Sequence, residues 1–358
     1  MKHLITYFLL FLITSCRSDI ETISPNMQFS DHKVVTVKAG DSFSLEILNR
    51  LPGAKFQIEY NQTNMSLLNS NSSTLEFYAK KESQNIIYLM NQGRKADSCK
   101  INIARPNLIK VLAIGNSFSE DAVEQYLHEL FAANGQDVII GNAMISGCSL
   151  ATHLSNAKNN LPAYSYRKID IHGTKSTVNQ QTLGSILADE NWDYISLQQV
   201  SQDSGLPSTF TDPLPELYKF VYKNGTKVLL HQTWAYSPNS THPGFANYHY
   251  NQTEMYNAIC TAYTYATSLI PAYKVIPSGT ALQNVRTTLS GTDLTRDGYH
   301  LSYDLGRFAA ACTWYETLSE KNVTQNSYIP SNISNTNSII IKKAAYLATV
   351  SPFKITSP

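Results

Sequence analysis

Residues 108–114 read Leu-Ile-Lys-Val-Leu-Ala-Ile, a near-continuous apolar run closed by Gly115. A strand that is apolar on both faces must be covered on both faces, and parallel strands flanked by helices meet that condition. The next residues agree. Ser119 is placed to cap a helix that carries Glu120 and Asp121 in its first turn. Ala122, Val123, Tyr126, Leu127, Leu130 and Phe131 follow at helical spacing, and Gly135 stops the run. The alternation then repeats. Further strands are expected at 138–143, 194–197, 227–231 and 273–276, with helices at 183–188, 215–222, 252–269 and 305–318. An inserted hairpin is expected over 163–180, turning at Gly173. This order predicts an α/β fold, a three-layer α/β/α sandwich around a parallel sheet.

Ligands of such sheets bind beyond the strand C-termini. Ser117 sits there, between a strand end and a helix N-terminus whose free N–H groups suit a developing oxyanion. Asp297-Gly298-Tyr299-His300 places a carboxylate three residues before an imidazole, so one short loop can hold the pair. Together they make a candidate Ser-His-Asp triad in the chain order Ser117, Asp297, His300. Gly147, Gln198, Gln199 and Trp234 also follow expected strands and could line the same cleft. Cys148 is a second possible nucleophile with no supporting neighbour. His153, His242 and His249 match no metal-site spacing and read as solvated histidines; no metal or organic cofactor is called for.

These residues resemble the SGNH or GDSL hydrolase superfamily over roughly residues 107–320. Gly115-Asn116-Ser117 is similar to the first block, Gly-Asp-Ser, with Asn116 in place of the aspartate. Ser146-Gly147-Cys148-Ser149 is similar to the second, where the family uses a glycine N–H in the oxyanion hole. Asp297-Gly298-Tyr299-His300-Leu301-Ser302 is similar to the fifth, which supplies the aspartate and histidine. The third block departs. The family places Gly-x-Asn-Asp after a strand, and the asparagine donates to the oxyanion; here Gln198-Gln199-Val200-Ser201 follows. A glutamine amide has the same donor chemistry on a longer arm, and either glutamine could supply it. Within the superfamily the chain most resembles a lipoprotein subgroup with Gly-Asn-Ser-Phe, Gly-Cys-Ser-Leu, paired glutamines and Asp-Gly-x-His. The resemblance implies a serine esterase working through an acyl-enzyme, removing acetyl groups from carbohydrate. The competing reading is a non-catalytic glycan-binding lipoprotein.

The first residues set the address. Met1-Lys2-His3 precedes an apolar run over 4–14 and then Ser15-Cys16. A basic start, a short apolar core and a small residue before cysteine describe a bacterial lipoprotein signal. The run falls short of the roughly 20 residues of a spanning helix. Residues 1–15 are therefore read as signal, Cys16 as the lipidation site and 16–22 as a tether, giving a bacterial outer-membrane lipoprotein held by its lipid anchor, facing the periplasm or the cell surface. The remaining cysteines, 99, 148, 260 and 312, lie far apart. Residues 23–105 carry short alternating runs at 34–37, 43–47, 55–60, 74–78, 86–89 and 99–103, the spacing of a small all-β, immunoglobulin-like sandwich. Residues 106–358 form the hydrolase-like domain. A net charge of +1 gives no reason to expect nucleic acid as a partner.

Overall fold

The computed structural model describes residues 27–30, 34–105, 107–223 and 225–358. The signal segment, Cys16 and the tether lie outside them. The chain divides into two compact units, Met1–Pro106 and Asn107–Pro358.

The first unit is all β. Its strands are β1 (Gln28–Phe29), β2 (Val34–Lys38), β3 (Ser42–Leu48), β4 (Gln57–Glu59), β5 (Met65–Ser70), β6 (Thr74–Ala79), β7 (Ser83–Asn91) and β8 (Arg94–Ala104). They form two four-stranded sheets, ordered β1-β3-β6-β5 and β2-β8-β7-β4. Alternation explains the core. Leu75, Phe77 and Ala79 of β6 are buried, as are Ile87 and Leu89 of β7 and Cys99, Ile101 and Ile103 of β8, while their neighbours in sequence face outward. Inward side chains of both sheets join in one apolar cluster. Two strands were not anticipated. β1 is two residues long, and Met65-Ser66-Leu67-Leu68-Asn69-Ser70 of β5 breaks alternation with a register shift between Leu67 and Asn69.

The second unit is built on a seven-stranded sheet. Its strands are β9 (Leu108–Gly115), β10 (Asp137–Met144), β11 (Tyr164–Ile169), β12 (Lys175–Gln181), β13 (Tyr194–Leu197), β14 (Lys227–His231) and β15 (Lys274–Ile276), in the order β12-β11-β10-β9-β13-β14-β15. β10, β9, β13, β14 and β15 pair in parallel. β11 and β12 are the inserted hairpin, antiparallel at one edge. The chain leaves β9 toward β10 and later returns to β13 on the opposite side. Right-handed crossovers in opposite directions put helices on opposite faces. Accordingly Ser117–Val123, Leu127–Ala133, Ser278–Thr288, Leu305–Ser319 and Asn335–Val350 pack with one another, and Leu150–Lys158, Ser208–Thr211, Pro213–Val221 and Gln252–Leu269 form a second group.

The strand reversal beside β9 is where such sheets open a crevice. Ile114 is level with Ala143 of β10 and with Leu197 of β13. The segments that leave these three strands, carrying Ser117, Gly147 and Gln198, therefore emerge at one sheet edge. No helix among the described residues is long and apolar enough to cross a membrane.

Each unit has its own core, so each should unfold with its own transition. Phe77 is fully buried, stacked on Phe43 with ring centroids 5.4 Å apart and edge-on to Tyr60 at 5.2 Å. Phe77→Ala should cost the first unit about 3–5 kcal/mol. Calorimetry of the variant should show one transition displaced downward and the other unmoved. A single transition shifting as a whole would contradict the separate cores.

Candidate active site

Ser117 is the first residue of the helix Ser117–Val123, directly after β9. The cap of that helix is Asn116, not Ser119. The Asn116 Oδ1 accepts from the Phe118 N–H at 2.9 Å, whereas the Ser119 hydroxyl donates to the Asn116 carbonyl at 2.7 Å and lies 2.8 Å from Asn142 Oδ1. The helix begins three residues earlier than expected, and Tyr126, with φ +70°, separates it from Leu127–Ala133.

The loop from the far end of the chain meets this turn. His300 Nε2 is 2.8 Å from Ser117 Oγ, and His300 Nδ1 is 2.6 Å from Asp297 Oδ2. The other carboxylate oxygen accepts the backbone N–H groups of Tyr299 at 3.2 Å and His300 at 2.8 Å. Gly298 lets the loop curl this tightly. Its φ is +88°, and a Cβ there would stand 2.9 Å from Ser240 Cα. Partial burial alone would raise the Asp297 pKa, but the bonds from the His300 ring, His300 N–H and Tyr299 N–H outweigh it and hold the carboxyl below its ordinary range. Asp297 stays ionised and can pair with an imidazolium.

A residue that the sequence did not single out holds this loop to the Ser117 helix. Asp121, one turn after Ser117, is fully buried. It receives Arg296 Nη1 at 2.9 Å, Arg307 Nη2 at 2.6 Å and the Leu301 N–H at 2.8 Å. Arg296 and Leu301 directly flank the Asp297–His300 tetrapeptide. The readable signal was an acid in a first helical turn, which usually means only a favourable helix dipole.

The remaining expected residues divide. Gly147 sits in an exposed turn with φ +61°, and its N–H has no protein acceptor among the described residues. The Ser117 N–H opens its helix and has no helical acceptor. Trp234 does not line the cleft. It is fully buried, stacked on Phe118 at 4.2 Å, and donates from Nε1 to the Tyr299 carbonyl at 2.7 Å, so it supports the histidine loop from below. The glutamines do not project toward Ser117 either. Gln199 accepts the N–H groups of Leu150 and Val200, both at 2.9 Å, and donates to Thr209. Gln198 lies between Asn116 and His231 and is 2 % exposed. Buried amides pair with whatever polar groups surround them, and here those groups are loop backbone and core side chains.

Cys148 is 3 % exposed, and burial pushes its thiol up to about 12, so it is protonated and not a nucleophile. The histidines are not all solvated. His249 is exposed beside Glu254, but His153 is fully buried, with Nδ1 3.0 Å from the Tyr164 hydroxyl. His242 is half-buried against Tyr299, ring centroids 4.8 Å apart, and its Nδ1 accepts the Gly244 N–H at 3.0 Å. Desolvation, and then the nearby His300, lower its pKa. Among the described residues no group of three or more His, Cys, Asp or Glu side chains is arranged to hold a metal ion.

The family model described as "Domain of unknown function (DUF4886)" matches residues 110–348. The chain belongs to the DUF4886 family. A crystal structure of a DUF4886 protein from Bacteroides uniformis is 49 % identical, covers 70 % of this chain and 98 % of its own, and superposes with a TM-score of 0.69. More distant matches include a member of the lipolytic protein G-D-S-L family from Veillonella parvula (15 % identity, 60 % of this chain and 100 % of that one, TM-score 0.37). An acetylxylan esterase from Geobacillus stearothermophilus is 14 % identical over 59 % of this chain and 94 % of its own, with a TM-score of 0.36. No curated protein matches.

Two buried neutral imidazoles give this DUF4886 protein a definite pH dependence. Burial lowers His231 to about 3 and His153 to about 4. Below the free-imidazole value of about 6.5 the unfolded chain binds protons that the folded chain does not. The stability is therefore fully present above pH 6.5 and is lost as pH falls through 6.5 toward these folded values, by up to about 1.4 kcal/mol per pH unit for each group. The urea midpoint should fall from pH 6.5 to 4.5, and more shallowly in His153→Phe. Parallel wild-type and variant curves would rule out a titrating His153.

Proposed function

We propose that this protein is an ester hydrolase of the SGNH type. The observation that carries the reading is the continuous hydrogen-bonded line Ser117–His300–Asp297, set where β9 meets a helix N-terminus. Ser117 Oγ attacks the ester carbonyl while His300 Nε2 takes its proton. Asp297 fixes the Nδ1–H tautomer and stabilises the imidazolium. The tetrahedral oxyanion is bound by the N–H groups of Ser117 and Gly147. Collapse expels the alcohol, which takes the proton from His300, and leaves an acyl-Ser117. A water activated by His300 then releases the acid and restores the serine.

The site favours a soluble or surface-displayed ester over a lipid drawn into a tunnel. The side chains of His300 and Asp297 are 19 % and 39 % exposed, so the catalytic edge is open. We assign the substrate class as acetylated carbohydrate, in keeping with this openness, a polar Tyr- and Asn-rich chain and the implied outer-membrane address. The purified mature protein should turn over p-nitrophenyl acetate faster than longer-chain esters. Ser117→Ala and His300→Ala should each lower kcat by about 10⁴-fold or more, with Asp297→Asn less severe. A fluorophosphonate should label the wild type and not Ser117→Ala. A wild type that neither turns over esters nor takes the label would leave the glycan-binding reading in its place.

The first unit is then an immunoglobulin-like spacer between a lipidated Cys16 and the enzyme. The resemblance of residues 1–15, followed by Cys16, to a lipoprotein signal supports it. The mature protein should sediment with membranes, and Cys16→Ser should stay unprocessed or be released. Wild-type protein recovered free in the periplasm, cut at another residue, would remove both the anchor and the spacer role.

A further inference from the structure

Asn116 stands where an aspartate would cap the helix equally well. Its amide adds one thing a carboxylate lacks, a donor, and that donor has a definite use. While Oδ1 accepts the Phe118 N–H, Nδ2 donates to the Cys148 carbonyl at 3.0 Å. Cys148 ends the turn that presents Gly147. The turn is closed by the Cys148 N–H on the Ile145 carbonyl at 3.2 Å. It is pinned to the serine loop twice, by the Ile145 N–H on the Gly115 carbonyl at 3.1 Å and by Asn116 on Cys148. Both pins come from the two residues before Ser117. Between them Ser146 and Gly147 are exposed. These two bonds therefore fix where the Gly147 N–H stands relative to Ser117.

The direction of the Asn116 amide is set from behind. Oδ1 also accepts from Gln198 Nε2 at 2.9 Å. With its nitrogen facing Asn116, Gln198 turns its oxygen to His231 Nδ1 at 2.8 Å. An oxygen cannot donate, so His231 carries its proton on Nδ1. Its Nε2 is then an acceptor for the Ser278 hydroxyl at 3.0 Å. All four residues are 2 % exposed or less. Each donor meets an acceptor in one consistent sense, and reversing any member would set two acceptors or two donors against each other in a dry interior.

We infer that the buried chain Ser278–His231–Gln198–Asn116 is a positioning device for the oxyanion site, delivering the Gly147 N–H by holding the Cys148 carbonyl. In this chain the paired-glutamine segment orients a donor and does not itself serve as one. The inference rests on the esterase reading.

Asn116→Asp tests it. The variant keeps the cap acceptor and the bond from Gln198 but turns a carboxylate oxygen toward the Cys148 carbonyl, which is pushed away. With p-nitrophenyl acetate and the full mature chain, kcat should fall about 10²-fold. KM should stay within about twofold, because the lost donor acts mainly in the transition state. The inhibition constant of phenylboronic acid, whose adduct on Ser117 fills the same hole, should rise by a factor similar to the loss in kcat. Gln198→Glu should give the same split by another route, since a carboxylate cannot donate to Asn116 Oδ1; it decides the matter if Asn116→Asp does not fold. Wild-type kcat in either folded variant, or a raised KM at unchanged kcat, overturns the inference. If the wild type itself is inactive and unlabelled by fluorophosphonate, the esterase reading fails and takes this one with it. An active wild type beside an equally active Asn116→Asp removes this one alone.

Discussion

A single buried carboxylate joins the two halves of the candidate site. Asp121 belongs to the helix that starts at Ser117, and its partners Arg296 and Leu301 lie 175 and 180 residues away in sequence. Without it, the Asp297–His300 loop would rest on the Trp234 indole bond, the Ser237 N–H on the Gly298 carbonyl, the His300–Ser117 contact and local turn contacts. Burying a carboxylate is costly unless it is fully paired, and removing one partner from such a cluster typically costs about 3–5 kcal/mol. Asp121 answers the cost with two guanidinium groups and a backbone N–H. Under the proposed reading this clamp sets the distance that matters to a triad, the one between Ser117 and His300. Arg296 also donates to the Leu301 carbonyl at 2.5 Å, so the same guanidinium braces both ends of the histidine loop.

How much of this was legible depends on how many partners each residue could have had. The strand over residues 108–114 was readable because burial on both faces leaves few alternatives. Ser117, Asp297 and His300 were readable because the turn and the three-residue spacing restrict their reach. The cap was not. Asn116 and Ser119 are both good caps, and tertiary partners separate them: Asn142 and the Asn116 carbonyl take up the Ser119 hydroxyl, while Gln198 and Cys148 orient the Asn116 amide. The glutamines failed for a related reason. Donor chemistry was read correctly, but an amide at a strand end can face the cleft or the adjoining loops, and Gln199 faces Leu150 and Thr209. Trp234 is equally ambiguous in sequence, and its stacking on Phe118 is what makes it a packing residue. Ser278–Thr288 escaped notice because it is buried nearly all round, with Thr280, Gln283 and Asn284 in the interior, and so shows no apolar stripe.

The two places where the sequence departs from the SGNH pattern it resembles concern the same few residues. Asn116 for aspartate and Gln198 for the expected donor look like two separate losses in the sequence. In the structure they touch, nitrogen to oxygen, at 2.9 Å. One replacement makes sense of the other: an amide at 116 has two faces to orient, and an amide at 198 selects between them. Neither position carries charge, and His231 behind them is held neutral by burial. The scaffold behind the Gly147 turn is thus uncharged in the folded protein.

The distance along the chain between Ser117 and His300, 183 residues, has a consequence for assembly. β9 is fixed by pairing with β10 and with β13, and His300 arrives only with the loop that precedes the Leu305–Ser319 helix. Long-range contacts of this kind form late, after the costs of loop closure have been met. A growing, translocating or partly folded chain therefore displays the serine with no imidazole beside it. Under the proposed reading such a chain is chemically silent, and hydrolysis begins only when the last third of the second unit docks. On that reading, enzymatic competence reports that the second unit has folded completely.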